Sequence, residues 1–316
     1  MNYIMDSIFS FIIFFCVLIL YYRIVYYYTY NDKNILMVIK DVSTIKLPSL
    51  MSDIGQLKLP GVFNNESSHS QSHLSYDELL LELSGLTLTL PFLIKESERN
   101  ILLTMDVDEF IENDPITNGE SLLFDPLNSR NKSEITVHQK EHLERLFKNT
   151  EGISQYYLYN QKVVDTRYTF LFSNTTTKSY NPLQYYKTPL NIFYVLDGNC
   201  TFMIGNPSLM GKMPMINDYT FFRFYIKGNS FDDLDYETTN NINLVKCTKG
   251  DYIVVPNQWL VGIEMEPKSA IMRESSSTLT SIISLTPEYI KHYICGVNVN
   301  VLPNINLLSR KNIINQ

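Results

Sequence analysis

Three residues in the middle of the chain have the types and the spacing of a zinc site. His138, Glu141 and His142 follow the pattern His-x-x-Glu-His, which on a helix places both histidines on one face, as zinc-assisted peptide hydrolysis requires. The segment His138–Lys148 predicts an amphipathic helix with a charged, solvated face. Because so short a pattern is common by chance and the chain beyond it predicts strands, we interpret these residues as surface positions.

A pair of carboxylates offers a second kind of chemistry. Asp106 and Asp108 are separated by one residue, and such a pair could hold the metal ion of a sugar nucleotide in an anchored glycosyltransferase-like enzyme. No alternation of strands and helices typical of nucleotide-binding folds precedes them. A helix over Thr104–Asn113, capped by Thr104 and with both carboxylates in its positive first turn, accounts for them better. The glycosyltransferase stays open as an alternative function.

Composition limits the class of partner. The chain has 316 residues, a net charge of −7 and no basic tract, which argues against nucleic acid as a partner. Tyrosine and phenylalanine number 22 and 17, against 12 glycines, which favours strands. The cysteines at 16, 200, 247 and 295 form no Cys-x-x-Cys pair, so a zinc ribbon is excluded and a reducing compartment is favoured.

The N-terminal segment predicts a transmembrane anchor within residues 1–30. Ile8–Tyr28 is a mostly apolar stretch of 21 residues, close to the roughly 20 residues needed to cross a bilayer, and Arg23 can extend its charged head toward water. No basic region precedes the stretch and no small-residue cleavage site follows it, so a secretory signal peptide fits less well. A run without helical period at the N-terminus also fits a buried core helix poorly.

Charges beside the anchor predict its orientation. Asp6 precedes the span, whereas Arg23, Lys33 and Lys40 follow it, so the positive-inside rule places the body in the cytosol. Four Asn-x-Ser/Thr triplets point instead to a luminal body, although such triplets arise often by chance in a chain rich in these residues. The triplets begin at Asn65, Asn131, Asn174 and Asn199.

Residues 31–94 predict a linker and a helical extension. Asn64–Leu74 is polar and of low complexity, as in an exposed loop. Ser75 and Glu78 have the spacing of a capping box, which predicts a helix through about Leu83. The buried side of this helix would hold Leu79, Leu80, Leu81 and Leu83.

From Gln155 onward, short β-rich runs alternate with turn residues, a pattern typical of a sandwich or barrel. Asp197 and Gly198 lie between two apolar runs and predict a hairpin. The predicted strands are Tyr156–Tyr159, Tyr168–Phe172, Asn191–Leu196, Cys200–Ile204, Tyr219–Ile226, Ile242–Cys247, Tyr252–Val255, Gly262–Met265 and Leu279–Leu285.

Four segments resemble, in order and spacing, the JmjC-like (cupin-8) group of iron and 2-oxoglutarate oxygenases. Asn181–Pro207 resembles the strand pair that carries the group's first two iron ligands, and Lys249–Met265 resembles its Gly-Asp-x-Leu-x-Ile-Pro-x-x-Trp-x-His segment. Gln155–Gln161 is similar to its Tyr-Tyr-Leu strand, and Met105–Asn113 to its Met-x-x-x-Glu-Phe helix. The matching residues of the second segment are Gly250, Asp251, Pro256 and Trp259.

The resemblance implies a mainly β fold with N-terminal helices at its side. The expected domain is a double-stranded β-helix, the jelly-roll cupin barrel, over residues 95–290, followed by a C-terminal tail at 291–316. In this group a strand motif His-x-Asp and a distant histidine hold iron as a facial triad. The resemblance places Gln184, Tyr186 and Val261 at the three ligand positions, and none of the three is a good iron ligand.

The resemblance also marks residues around the expected pocket. Cys200 stands where a lysine would hold the 2-oxoglutarate carboxylate, while Tyr157 and Asn191 match residues that contact the cosubstrate. Trp259, the only tryptophan of the chain, completes the pocket candidates. The residues at the ligand positions are equally compatible with a ligand pocket and with plain packing of the barrel interior.

These observations predict a membrane-anchored, non-catalytic binding or structural module without a cofactor. Its partners would be the membrane and an unidentified protein, and no nucleic acid. The alternative is an active oxygenase of the hydroxylase or demethylase type, with iron and 2-oxoglutarate held by displaced ligands. The anchored glycosyltransferase is the third hypothesis.

Overall fold

The computed structural model shows a mainly β protein with two large sheets and an apolar N-terminal helix. The strands of the two sheets carry apolar side chains on alternate faces, so each sheet can bury one face against the other. The structure describes residues 2–28, 35–40, 47–64, 75–82, 87–94, 99–106, 122–124, 156–158, 161–173, 178–219, 223–226, 242–297 and 301–302.

The N-terminal helix α1 (Asn2–Tyr28) confirms the predicted apolar helix. Its stretch Met5–Val25 is long and apolar enough to cross a membrane. Every residue from Met5 to Val17 is exposed, so this half of α1 packs on no other element of the described chain. The next turns are half-buried along one side, at Leu18, Ile19, Tyr22 and Arg23.

The first sheet has seven strands in the spatial order β1-β2-β13-β8-β15-β6-β5. Its ladders are antiparallel except for the parallel pair β1 and β2. The strands are β1 (Met37–Lys40), β2 (Gly61–Asn64), β5 (Leu122–Phe124), β6 (Val163–Phe172), β8 (Leu190–Asp197), β13 (Tyr252–Pro256) and β15 (Ala270–Thr278).

The second sheet has six antiparallel strands in the order β10-β11-β7-β14-β9-β12. A 3₁₀ turn at Pro207–Gly211 follows β9. The strands are β7 (Ser179–Tyr185), β9 (Asn199–Gly205), β10 (Met215–Asp218), β11 (Arg223–Ile226), β12 (Ile242–Thr248) and β14 (Leu260–Met265).

Consecutive strands alternate between the two sheets. The chain passes from β6 to β7, β8 and β9, and later from β12 to β13, β14 and β15, and changes sheet at every step. Among the described strands no ladder joins the sheets, so they form two packed layers rather than the closed barrel of the sequence prediction. Side chains between the layers form an apolar interior that includes Phe193, Phe202, Val261 and Trp259.

Helices cover the other face of the seven-stranded sheet. The helices α2 (Leu47–Leu57) and α3 (Tyr76–Glu82) place Met51, Ile54 and Leu79 against Ile192, Tyr194 and other outward side chains of this sheet. After β15 come α4 (Leu279–Ser284) and α5 (Thr286–Val297). A separate three-stranded sheet consists of β3 (Thr87–Ile94), β4 (Arg99–Asp106) and β16 (Val301–Leu302).

The capping box at the start of α3 confirms the predicted helix. The Ser75 hydroxyl accepts from the Glu78 backbone N–H at 3.3 Å, and the Glu78 carboxylate accepts from the Ser75 backbone N–H at 2.7 Å. Leu79 and Leu80 are buried as predicted, but Leu81 is exposed because so short a helix buries only one side. Three predictions lie outside the described residues: the burial of Leu83, the exposed loop after Asn64 and the amphipathic helix His138–Lys148.

The strand predicted at Leu279–Leu285 is wrong, because this segment forms the helix α4. A capping box sets its start: the Ser281 backbone N–H donates to the Thr278 hydroxyl at 3.3 Å, and the Thr278 backbone N–H donates to the Ser281 hydroxyl at 2.9 Å. Two reciprocal bonds satisfy backbone donors that a strand would have needed to pair elsewhere. The helix α5 and the strand β15 were not predicted.

Two further predictions of local structure are wrong. Thr104 starts no helix, because it lies in β4 and its ladder with β3 continues to Asp106; Asp108 is outside the described residues. Tyr156 and Tyr157 are helical rather than extended. The Tyr157 backbone lies so close to α2 that a side chain at Gly55 would meet its carbonyl oxygen, so packing against α2 sets this turn.

The turn at Asp197 and Gly198 is not the predicted hairpin. Gly198 has a φ of +78° and connects β8 of one sheet to β9 of the other, and these two strands share no ladder. The Asp197 carboxylate accepts from the Tyr76 backbone N–H at 2.6 Å and from the Lys249 ammonium at 3.1 Å. The prediction of a turn at Asp197 and Gly198 is confirmed, but the turn carries the chain from one sheet to the other rather than between two paired strands.

Candidate functional site

The structure brings the three predicted ligand positions together. Gln184, near the end of β7, lies directly opposite Val261 of β14 in the ladder between these strands. Directly opposed side chains on one face of a sheet have Cβ atoms roughly 5 Å apart. Tyr186 follows β7, and its hydroxyl accepts a hydrogen bond from the Gln184 amide nitrogen at 2.5 Å. Residues far apart in sequence thus share one place between the sheets.

A cation completes this group. The Arg273 guanidinium, carried by β15, lies over the Tyr186 ring with its central carbon 4.4 Å from the ring centroid. Its Nη2 donates to the Thr169 hydroxyl at 3.1 Å, and its buried Nε has no hydrogen-bond partner among the described residues. The ring of Phe193 lies 5.8 Å from that of Tyr186. We call Gln184, Tyr186 and Arg273 the interior cluster.

Asn191 is held by its own hydrogen bonds. It is fully buried on β8, and its amide oxygen accepts from the Ser275 hydroxyl at 2.7 Å and from the Thr188 hydroxyl at 2.9 Å. Two hydroxyl donors satisfy both lone pairs of this oxygen. Asn191 therefore ties β8 to β15 and to the loop after β7, close to the interior cluster in the strand register.

Cys200 is an apolar filler of the interior. It lies opposite Cys247 in the ladder between β9 and β12, and both thiols are free. Burial raises the pKa of the Cys200 thiol well above its usual range and that of Cys247 to about 12. Both sulfurs therefore stay protonated at neutral pH, and a protonated thiol is neither a nucleophile nor a metal ligand.

The remaining pocket candidates lie in different places. Trp259 is fully buried between the sheets, and its indole nitrogen donates to the Lys58 carbonyl at 3.2 Å. Tyr157 lies on the opposite face of the seven-stranded sheet, in the layer covered by α2 and α3. Its buried hydroxyl has no partner among the described residues, and burial raises its pKa above the usual range. Tyr157 is thus separated from the interior cluster by the sheet.

The side chains present do not fit an iron triad. Val261 has no donor atom, and the Gln184 amide is already bonded to Tyr186. Divalent iron in this kind of site needs two imidazoles and one carboxylate. Across the part of the chain that the structure describes, no three His, Cys, Asp or Glu side chains come together in a way that could hold a metal ion.

A second polar cluster lies where α1 meets the body. The Arg23 Nη2 donates to the Glu288 Oε1 at 2.7 Å, and the Lys187 ammonium lies 3.6 Å from the same oxygen. Lys187 also lies over the Phe224 ring, 3.8 Å from its centroid. Burial lowers the pKa of Lys187 to about 8, and Glu288 partly offsets that effect. We call Arg23, Lys187 and Glu288 the junction cluster.

Sequence reasoning missed Arg273, Lys187 and Glu288, and it gave Arg23 only the role of a charge at the end of the predicted span. Arg273 lies on β15, whose side facing the interior also carries Ser275, so it showed no apolar alternation. Glu288 is separated from Arg23 by 265 residues, and no local pattern connects such positions. The apolar context of Arg23 and Glu288 was the available signal, since a buried carboxylate requires a cation.

No family model matches the chain, and no curated protein matches it in sequence.

Proposed function

We propose that the protein is a membrane-anchored, non-catalytic binding or structural module with a JmjC-like cupin fold. The observation that carries the proposal is the meeting of Gln184, Tyr186 and Val261 at one place between the sheets. The resemblance named these positions as a ligand triad from motifs alone. Their juxtaposition without a donor set is what a degenerate oxygenase site would have.

The order of the strands supports the jelly-roll part of the proposal. Eight strands of the two sheets, β6 to β9 and β12 to β15, run in the orders β6-β15-β8-β13 and β7-β14-β9-β12. Numbered one to eight along the chain, these are 1-8-3-6 and 2-7-4-5, the arrangement of a double-stranded β-helix. A jelly roll of this kind is two sheets folded on each other, with consecutive strands in different layers.

The chemistry of the interior supports a non-catalytic role. The Tyr186 side chain contacts both other members of the cluster: its ring lies beneath the Arg273 guanidinium, and its hydroxyl accepts from the Gln184 amide. These side chains occupy the place where an oxygenase would need open coordination positions on its metal. A positively charged group in that place also opposes the binding of a divalent cation. The interior cluster therefore acts as packing or as the lining of a pocket for a neutral or anionic group.

The helix α1 supports the anchored part of the proposal. Its apolar stretch Met5–Val25 matches the length of a bilayer span, and the half from Met5 to Val17 is exposed and packs on no other element of the described chain. The basic residues that follow the span support a body on the cytosolic side under the positive-inside rule. Tethering would hold the module at the membrane surface, where it would bind an unidentified protein.

Iron binding in the full-length protein tests the proposal. The wild-type chain in lipid nanodiscs would be loaded with ferrous iron, and bound iron and 2-oxoglutarate affinity would be measured. A restored variant would carry Gln184→His, Tyr186→Asp and Val261→His. Its matched control would carry the aspartate at Tyr185 instead, on the other face of the strand and beside Phe224.

We expect no stoichiometric iron in the wild type, about one iron per chain in the restored variant, and none in the control. Iron and 2-oxoglutarate bound by the wild type would overturn the non-catalytic role and reinstate the oxygenase. A folded restored variant that binds no more iron than its control would overturn the cupin assignment. Circular dichroism of all three proteins checks that each is folded.

A further inference from the structure

The helix α5 is amphipathic with its polar side against the body. Glu288 is 2% exposed and holds Arg23 and Lys187. One turn later, the His292 Nδ1 lies 2.7 Å from the Tyr219 carbonyl oxygen. The apolar residues of α5 face outward instead: Ile290, Tyr293 and Ile294 are 54%, 74% and 58% exposed. A helix that turned this face to water would leave three large apolar side chains uncovered.

The exposed part of α1 is too short to cross a bilayer by itself. Residues Met5 to Val17 are thirteen exposed positions, and at 1.5 Å each they span roughly 20 Å, against a hydrocarbon layer of about 30 Å. The span must therefore include the following turns, from Leu18 onward, which are half-buried against the body along one side. Body elements beside these turns share their depth in the membrane.

The elements beside these turns are α4 and α5. The helix α4 packs along α1, and the Arg23–Glu288 ion pair fixes the first turn of α5 to the last turns of α1. Leu279 of α4 is 60% exposed, so α4 adds an outward apolar side chain to those of α5. The same edge of the body thus carries the anchor and an uncovered apolar surface.

We propose that the outward surface of α4 and α5, formed by Leu279, Ile290, Tyr293 and Ile294, lies in the bilayer that α1 spans. The occupant is the lipid interface, because α4 and α5 lie beside the half-buried turns with which α1 completes its span, so their exposed apolar side chains are at the depth of those turns. Tyr293 suits an interfacial depth, and the Lys291 ammonium lies over the Tyr219 ring of the body, 5.0 Å from its centroid. The inference rests on α1 being a membrane span.

Tryptophan quenching by brominated lipid tests this surface. The full chain would be reconstituted into phosphatidylcholine vesicles with or without bromine on the acyl chains. Three variants each add one tryptophan: Tyr293→Trp in the proposed surface, Phe11→Trp in the exposed half of α1, and Leu244→Trp at an exposed apolar position on β12. The native Trp259 is fully buried and gives the same background in every protein.

We expect bromine to lower the added emission by about twofold or more in the Phe11→Trp and Tyr293→Trp variants, and to leave Leu244→Trp unchanged. Quenching of Phe11→Trp without quenching of Tyr293→Trp would overturn the inference and leave the anchor intact. A blue-shifted but unquenched Tyr293→Trp emission would mean that protein, such as a second copy, covers the surface. An unquenched Phe11→Trp emission would overturn the anchor and the inference together.

Discussion

Tyr186 and Lys187 are neighbours in the chain, but their side chains lie in two different polar clusters. Tyr186 belongs to the interior cluster, where the Arg273 guanidinium lies on its ring. Lys187 belongs to the junction cluster, where it shares the Glu288 carboxylate with Arg23. The end of one strand therefore supplies both clusters, and the difference between them is the presence of a carboxylate.

That difference decides how each cluster depends on charge. In the interior cluster the described partners of the Arg273 guanidinium are a ring and a hydroxyl. A cation–π contact contributes about 0.5 to 2 kcal/mol. In the junction cluster one carboxylate compensates two cations, of which Lys187 is almost fully buried. We expect neutral replacements to be tolerated between the sheets and to be costly where α1 meets the body.

The largest effect is expected for Glu288→Gln. The change leaves Arg23 and the buried Lys187 facing each other without a carboxylate, and breaking a buried pair on one side costs about 2 to 4 kcal/mol when an acceptor oxygen remains. We expect a clear fall in the midpoint of thermal unfolding of the full chain in detergent.

The matched control for this change is Glu264→Gln. Glu264 lies 2.9 Å from Lys178 in an exposed pair on the six-stranded sheet, and Lys178 keeps a second partner, Glu266. Exposed pairs add little to stability, so the unfolding midpoint should not change. Equal effects of the two replacements would contradict the importance of the junction cluster.

The second prediction is a contribution of Lys187 to stability that increases with pH. Burial lowers the pKa of Lys187 to about 8 from its ordinary 10.5. Between these values the unfolded chain holds a proton at Lys187 that the folded chain has released, so the contribution of this residue to the free energy of unfolding increases with pH by up to about 1 kcal/mol per pH unit. Burial raises the pKa of the Cys200 and Cys247 thiols, whose contributions therefore fall with pH over the same range, so the contribution of Lys187 is the difference between the wild type and a variant without this residue. Denaturant unfolding at intervals from about pH 7.5 to about pH 9.5 measures how the free energy of unfolding changes with pH around the pKa of Lys187.

The variant Lys187→Met provides the control for the pH dependence. It removes the titrating group but keeps an apolar side chain beside Phe224. The slope of this variant should be less positive than that of the wild type at every pH, while the contributions of Lys58, Cys200 and Cys247 are common to both proteins. An unchanged slope would show that Lys187 is as well hydrated in the folded protein as in the unfolded one.

Many of the strands could be predicted from sequence because each is marked by residues within or next to the strand itself. The runs in β8, β9 and β13 are apolar and bounded by Gly and Asp turns, and α1 is apolar over a whole span. The segment β15 could not be predicted, since Arg273 and Ser275 occupy positions where alternation would require apolar residues. The sequence predicts a strand where the helix α4 forms, because the capping contacts between Thr278 and Ser281 that start this helix do not change the spacing of its apolar residues.

The clusters could be predicted only in part, because their contacts are non-local. The opposition of Gln184 and Val261 follows from the ladder between β7 and β14, and the sequence indicated it through spacing within a family resemblance. The pairing of Arg23 with Glu288 depends on how α1 and α5 pack on the body. Neither helix packing nor strand register across layers is encoded in a short window of sequence.

The third prediction concerns the hydrogen bond of the interior cluster. Tyr186→Phe keeps the ring beneath Arg273 but leaves the buried Gln184 amide without its hydroxyl partner, which costs about 1 to 2 kcal/mol. Gln184→Met added to Tyr186→Phe removes the amide as well and should recover most of this loss. The four proteins of this double-mutant cycle, compared by urea unfolding, give the coupling energy directly. A coupling near zero would mean that the bond contributes nothing to stability.

The smallest effect is expected for Arg273→Met, the counterpart of Glu288→Gln in the other cluster. The replacement loses the contact with the Tyr186 ring and the bond to Thr169. It also removes a charge from between the sheets and the unpartnered Nε, and a methionine can fill the space because its chain is flexible. These contributions oppose each other, so the free energy of unfolding should change by less than about 1 kcal/mol. A loss as large as that of Glu288→Gln would mean that the guanidinium holds an anionic group in the wild-type protein, and the interior would then be a binding site rather than packing.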